Sequence, residues 1–117
     1  MEQTIYASAA RTATPTAVEV NTRRAKSLVV VLDATVHAVS AALTITIDRK
    51  DSTSGKYINI LTSASITTVS TNTIRVALGA PVTANVSANE PLPNTVRIGV
   101  THGNANAVTY TVSAHLN

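Results

Sequence analysis

Residues 43–61 read LTITIDRKDSTSGKYINIL, two runs of alternating residues on either side of a polar segment. In the first run Leu43, Ile45 and Ile47 fall on one side of an extended chain, and Thr and Asp residues fall on the other. Successive side chains of a strand point to opposite faces, so this run predicts a strand with one buried and one solvated face. The polar segment 48–56 combines Asp, Ser and Gly, which favour turns. The stretch therefore predicts an antiparallel β-hairpin.

The same alternation recurs along the rest of the chain. Residues 27–36, SLVVVLDATV, are the most apolar segment and predict a central strand that is covered on both faces. Further strands are predicted at 16–21, 73–78, 96–101 and 108–113, with weaker candidates at 4–7, 62–69 and 82–86. Seven or eight short strands separated by turn residues indicate an all-β fold. We expect an antiparallel two-sheet β-sandwich, Ig-like or jelly-roll-like, with a closed barrel as the alternative.

Residues 70–78 carry two more detailed predictions. Residues 70–72, Ser-Thr-Asn, favour a turn. In the strand that follows, Ile74, Val76 and Leu78 alternate with polar or small residues and are predicted to point inward.

The 117 residues are expected to form one domain, 1–117, which is long enough to bury roughly two-thirds of the unfolded surface. Residues 1–14 are expected to be a partly ordered N-terminal arm, because a terminus stays loose unless contacts hold it. The chain has no Cys, so disulfides and thiolate metal sites are excluded. It also has no Phe or Trp, so aliphatic side chains must fill the core, in keeping with an all-β domain.

The charge pattern excludes several partners. The net charge is +3, but only 13% of residues are charged, and the one cluster of cations is Arg23, Arg24 and Lys26. This cluster is interpreted either as a solvated start of a strand or as a contact with an acidic partner surface. Specific nucleic-acid binding is not expected, since such proteins concentrate many cations on one face.

No apolar run is long enough to span a membrane, and the first residues lack a signal peptide, so cytoplasmic synthesis is expected.

No pattern of residues indicates catalysis or a cofactor. His37, His102 and His115 lack the close spacing of metal ligands, and ordinary surface histidines are expected. Asp48 and Asp51 are close in sequence but lie in the polar hairpin segment, where solvated turn residues are expected. No enzyme activity, metal or cofactor is therefore predicted. Only three tyrosines are present, which disfavours stacking of sugar rings or bases on aromatic side chains.

Several segments together resemble a family of small tailed-bacteriophage proteins. They are TIYASAARTATP, SLVVVLDAT, LTITIDRKDSTSGKYINIL, NEPLPNTVRIGVTH and VTYTVSAHL, which cover nearly the whole chain. The resemblance implies a virion structural protein without catalytic residues. Its most specific form is a capsid decoration (cement) protein that binds and stabilises the major capsid lattice. The alternatives are a head–tail or tail component, and a carbohydrate-binding or host-surface-binding module.

This role implies partners and a location. The partners are the major capsid protein or neighbouring virion subunits, with the chain as a homo-oligomer or in many copies on the capsid surface of the virion. Many weak, identical contacts on a lattice give strong net attachment. If the arm orders on the capsid, Ile5 and Tyr6 are its candidate apolar anchors. Arg23, Arg24 and Lys26 are the other candidate capsid contacts.

Overall fold

The computed structural model describes all 117 residues as β-strands and connecting turns, with no helix. The strands are β1 (Glu2–Arg11), β2 (Val18–Asn21), β3 (Ser27–His37), β4 (Leu43–Lys50), β5 (Tyr57–Thr62), β6 (Ser70–Ala77), β7 (Ser87–Ala88), β8 (Thr95–His102) and β9 (Val108–Leu116). The predicted all-β class is confirmed. The strand count is nine rather than seven or eight, because β1 is a full strand and the two-residue β7 is added.

The strands form two sheets. One has the order β1-β9-β3-β6-β7 and the other has the order β2-β8-β4-β5. All neighbours are antiparallel except β6 and β7, which are parallel. The predicted hairpin of β4 and β5 is confirmed, and a bulge between Ile47 and Asp48 shifts its register. The predicted central position of β3 is confirmed too, since β9 and β6 flank it.

The two sheets share one core. Alternate residues of β3 and β4, among them Leu28, Val30 and Ile45, are fully buried and belong to a single cluster of 23 buried residues. Tyr110 is the largest fully buried side chain. The outward residues of β3, Val29 and Val31, are only half-buried, so the prediction that both faces of this strand are covered is wrong. The strand is central within its sheet, but no third layer lies over the sheet.

Four of the finer predictions fail around β6. The strand begins at Ser70, where the sequence predicts a turn, because the long β3 offers pairing partners as far as Ala34. Leu78 is 72% exposed instead of inward, since β6 ends at Ala77 and the chain turns at Gly79. The candidate strand at 62–69 is reduced to an isolated bridge at Ile66. At 82–86 the chain forms turns, and the short strand β7 follows them.

Most of the segment 1–14, for which the sequence predicts a partly ordered arm, forms β1 at the edge of the five-stranded sheet. Its pairing with β9 has two register shifts, on either side of Tyr6. Arg11 lies at the end of this irregular stretch, and its guanidinium donates to the carbonyl of Ala7 at 2.7 Å and to that of Tyr110 at 3.1 Å. These bonds hold the bulged strand against β9.

Candidate functional site

The two candidate apolar anchors lie in the protein's own core. Ile5 is 9% exposed and Tyr6 is 8% exposed. The Tyr6 hydroxyl donates to the carbonyl of Thr16 at 2.7 Å, and burial raises the pKa of this phenol. While β1 remains on the sheet, neither side chain is offered to a partner. Their role as capsid contacts stays a prediction that requires β1 to detach.

The candidate basic cluster begins in a tight turn between β2 and β3. The amide of Ala25 donates to the carbonyl of Thr22 at 2.9 Å, and the two residues between them, Arg23 and Arg24, have φ angles of 52° and 63°. Positive φ at both central positions defines a type I′ turn, for which Asn-Gly is the favoured pair. Each arginine in this conformation costs about 1 kcal/mol. We refer to residues 22–25 as the basic turn.

The buried Thr22 anchors the basic turn to the segment 93–94. The Thr22 hydroxyl donates to the carbonyl of Pro93 at 2.7 Å, and its amide donates to the carbonyl of Asn94 at 2.9 Å. The Asn21 side chain accepts a hydrogen bond from the amide of Arg23 at 2.8 Å. The strained conformation is therefore fixed by contacts with the 93–94 segment, so both arginine side chains project into solvent from a defined backbone.

An open notch lies beside the basic turn. It is lined by Ala25, Lys26, Leu78, Pro91 and Leu92 and has a volume of ≈ 430 Å³. Four of its five lining residues are apolar, and the fifth, Lys26, is exposed. We refer to these five residues as the Leu78 notch.

The cations beside the Leu78 notch have no carboxylate partner. The four ion pairs of the chain join Arg49 to Glu90, Lys50 to Glu19, Arg97 to Asp48 and His115 to Glu2. Arg23, Arg24 and Lys26 take part in none of them, and all three are exposed. An exposed and uncompensated positive charge thus borders the Leu78 notch.

A second exposed apolar group lies at the opposite end of the sheet. Val36, Val39 and Val69 are all exposed, Val39 to 91%. Val36 is at the end of β3, Val39 follows it, and Val69 directly precedes β6, whose first residue pairs with Ala34. The three segments therefore meet at one end of the body. We refer to these three residues as the valine patch.

The outer face of the four-stranded sheet carries paired charges. Arg97 bonds Asp48 at 3.0 Å, and Lys50 bonds Glu19 at 3.1 Å. The Tyr57 ring covers the Arg97 guanidinium, and its hydroxyl bonds Glu19. Tyr57 is the only tyrosine that is not buried, and Arg97 occupies one of its ring faces. A glycan would find a single, partly occupied stacking ring here.

The two carboxylates of the polar hairpin segment, Asp48 and Asp51, bond groups of the same chain. Asp48 accepts hydrogen bonds from Arg97, and Asp51 accepts one from the Ser54 hydroxyl at 2.7 Å. The bond from Ser54 and that from the Thr53 amide lower the pKa of Asp51. No group of three or more His, Asp or Glu side chains lies close enough to hold a metal ion.

The histidines are also separate from one another. His102 bonds the Tyr110 hydroxyl through Nε2 at 2.9 Å, and its Nδ1 is buried without a partner. Burial and the neighbouring Arg11 cation lower the pKa of His102. Burial raises the pKa of Tyr110 to about 12. The ring nitrogens of His37 instead lie 3.0 Å from the carbonyl oxygen of Ala38 and 3.2 Å from that of Ile66.

The sequence pattern identified the basic cluster but not the notch beside it. The alternation of residues 74–78 predicts that Leu78 points inward, and no pattern assigns a role to Leu92. The sequence contains one indication of the notch. Leu92 lies between Pro91 and Pro93, and the two prolines stiffen the loop that holds this aliphatic side chain.

Two further findings concern the whole chain. The structure has no helix with the length and apolar character needed to cross a membrane. Comparison of the chain with family models, curated proteins and solved structures found no significant match.

Proposed function

We propose that this chain is a bacteriophage virion structural protein, a capsid decoration protein that attaches in many copies to the major capsid lattice. The resemblance of its segments to small tailed-bacteriophage proteins is the starting point. The structural observation that carries the proposal is that exposed apolar side chains are present at both ends of the body, in addition to the exposed Ile58, Val82 and Val86. The valine patch lies at one end, and Leu78 lies at the other.

Contact surfaces at two opposite ends suit a protein that binds within a repeating capsid lattice. Scattered single apolar residues on a surface need no explanation, but grouped ones mark contact sites. A subunit on a lattice touches neighbours on more than one side, and each contact can be weak. Attachment at several points raises the net affinity through effective concentration.

We further propose that the fold is a jelly roll. The strand pairing is nested, since β1 pairs with β9, β2 with β8, β3 with β6 and β4 with β5. This is the pairing of one long hairpin wrapped into two sheets, and β7 is then an addition at the edge. Jelly rolls recur in viral capsid proteins and in lectins. Because a fold alone does not determine function, the topology supports the proposal only together with the surface features.

The test is attachment to capsids that lack the protein. Capsids are prepared from a virus with the gene for this chain deleted, mixed with the purified protein, and sedimented. Saturable co-sedimentation with capsids is the expected result. Binding to isolated tails instead of capsids would support the head–tail or tail role and contradict the decoration role. Protein that remains in the supernatant in both cases would contradict a virion role altogether.

A further inference from the structure

We infer that the Leu78 notch and the basic turn together form one docking site for an acidic protein segment that carries an aliphatic side chain. The inference rests on the proposed function, because it names the kind of capsid surface to which this end of the body binds. The aliphatic side chain enters the notch, and flanking carboxylates pair with Arg23, Arg24 and Lys26.

The apolar half of the site is exposed but well defined. Leu78 is 72% exposed and is followed by Gly79 at a φ of 85°, so it sits at the tip of a sharp turn. Leu92 is half-buried between two prolines and packs against the core. The Gly79 amide donates to the Asn89 side chain at 2.7 Å, which ties the two walls together. A partner side chain can therefore bury apolar surface here with little ordering of the protein.

The charged half of the site is also held in advance. Asn-Gly would form the type I′ turn with less strain, yet Arg23 and Arg24 occupy it. Strained backbone that surrounding contacts hold in place is typical of binding positions. The acid nearest in sequence to the notch, Glu90, pairs with Arg49 at 3.6 Å and does not neutralise the three cations. Arginine forks bind carboxylates with two parallel hydrogen bonds, so an acidic segment matches this charge.

A protein segment fits this site better than a nucleic acid. Binding of single strands relies on aromatic side chains for base stacking, and none lines the notch. Binding of duplexes relies on phosphate contacts spread over a long basic surface, whereas the cluster comprises three cations. The apolar walls next to the cations match an aliphatic side chain rather than a phosphate.

The probe is a short fluorescein-labelled peptide in which leucines are flanked by aspartate and glutamate, and binding is measured by fluorescence anisotropy. Two control peptides replace the leucines with serine or the acids with lysine, and a duplex DNA is a fourth probe. The protein variants are Leu78→Ser and Arg24→Glu. Their matched controls are Val82→Ser, 77% exposed and outside both the notch and the valine patch, and Lys56→Glu, exposed in the β4–β5 loop. Circular dichroism confirms that every variant is folded.

We expect the acidic leucine peptide to bind. Leu78→Ser and Arg24→Glu should each raise its dissociation constant by about tenfold, the loss of affinity typical of an anchor residue. The two control variants should bind like the wild-type protein. The inference is overturned if the leucine and serine peptides bind equally, if neither binds, if the notch variants bind like the controls, or if DNA binds more tightly through the same residues.

Co-sedimentation with capsids separates this inference from the proposed function. If the wild-type protein binds capsids and both notch variants bind equally well, the docking site is wrong and the virion role stands. If the wild-type protein binds no capsid, the decoration role fails, and the peptide measurements alone decide whether the notch accepts an acidic segment.

Discussion

The guanidinium carbon of Arg97 lies 3.7 Å from the centre of the Tyr57 ring, so the arginine is held between this ring and the carboxylate of Asp48. Asp48 and Glu19 are the cross-strand neighbours of Arg97 in β4 and β2. The three charges therefore form a row across three strands of the solvated face. Charges on this face are compensated, whereas those of the basic turn are not.

Loss of Arg97 should destabilise the fold. The Asp48 side chain is only 13% exposed, and in Arg97→Leu the Asn59 amide remains as its side-chain donor at 3.0 Å. We expect the free energy of unfolding to fall by about 2 kcal/mol in urea denaturation, the cost of a poorly satisfied charged group. Arg75→Leu is the control, since Arg75 is exposed and forms no ion pair. An equal loss in both variants would contradict this account of the row.

Arg11→Lys should loosen β1 selectively. The guanidinium bonds backbone carbonyls of β1 and β9, and its carbon lies 5.4 Å from the Tyr6 ring centre and 4.8 Å from that of Tyr110. The lysine ammonium lacks the planar pair of donors with which the guanidinium bonds the two carbonyls. We therefore expect the free energy of unfolding to fall by about 1 kcal/mol. Hydrogen exchange should speed up at β1 amides while β3 amides stay protected. Uniform acceleration across both strands would show that β1 is not a separate unit.

The stability should decrease in mild acid because of His102. Its pKa is lowered in the folded state from the ordinary 6.5, so the unfolded chain binds the proton more readily. The contribution is complete above pH 6.5 and is lost as the pH falls through the lowered pKa of the folded state. His102→Gln retains a polar partner for the Tyr110 hydroxyl without titrating. Its thermal midpoint should fall less between pH 7.5 and pH 5, and parallel curves for the two proteins would refute the assignment.

Replacement of Arg23-Arg24 by Asn-Gly should improve stability and impair attachment. The new pair suits the positive φ angles, so we expect the free energy of unfolding to rise by about 1 kcal/mol. The same change removes two unpaired cations from the docking site and should weaken capsid binding. Lys56→Asn, which removes a cation from an exposed loop, should alter neither property. A more stable variant with unchanged attachment would show that the strained turn has no binding role.

The fold could largely be predicted from periodicity, because alternation with period two marks the buried face of a strand independently of its partners. It succeeds for Ile45 and Ile74, which lie inside their strands and are buried. It fails for Leu78, because the end of a strand depends on where the neighbouring strand stops offering partners. The ordering of residues 2–11 depends on pairing with β9 and on the bond from Arg11 to the Tyr110 carbonyl, long-range contacts that local composition does not contain.

The candidate site was predictable only in part for a similar reason. The cluster of Arg23, Arg24 and Lys26 is visible as a run of cations. The notch beside it is assembled from three separate segments, 25–26, 78 and 91–92, and only the topology brings them together. The type I′ turn was hidden because its usual Asn-Gly signature is absent.

The most direct test of the decoration role is the number of copies of this chain in purified virus particles, measured by quantitative mass spectrometry against the major capsid protein. The decoration role predicts a fixed ratio to the capsid subunits and loss of the chain from particles when the valine patch and the Leu78 notch are both made polar. Absence of the chain from purified particles, or a copy number that follows the tail proteins, would contradict it.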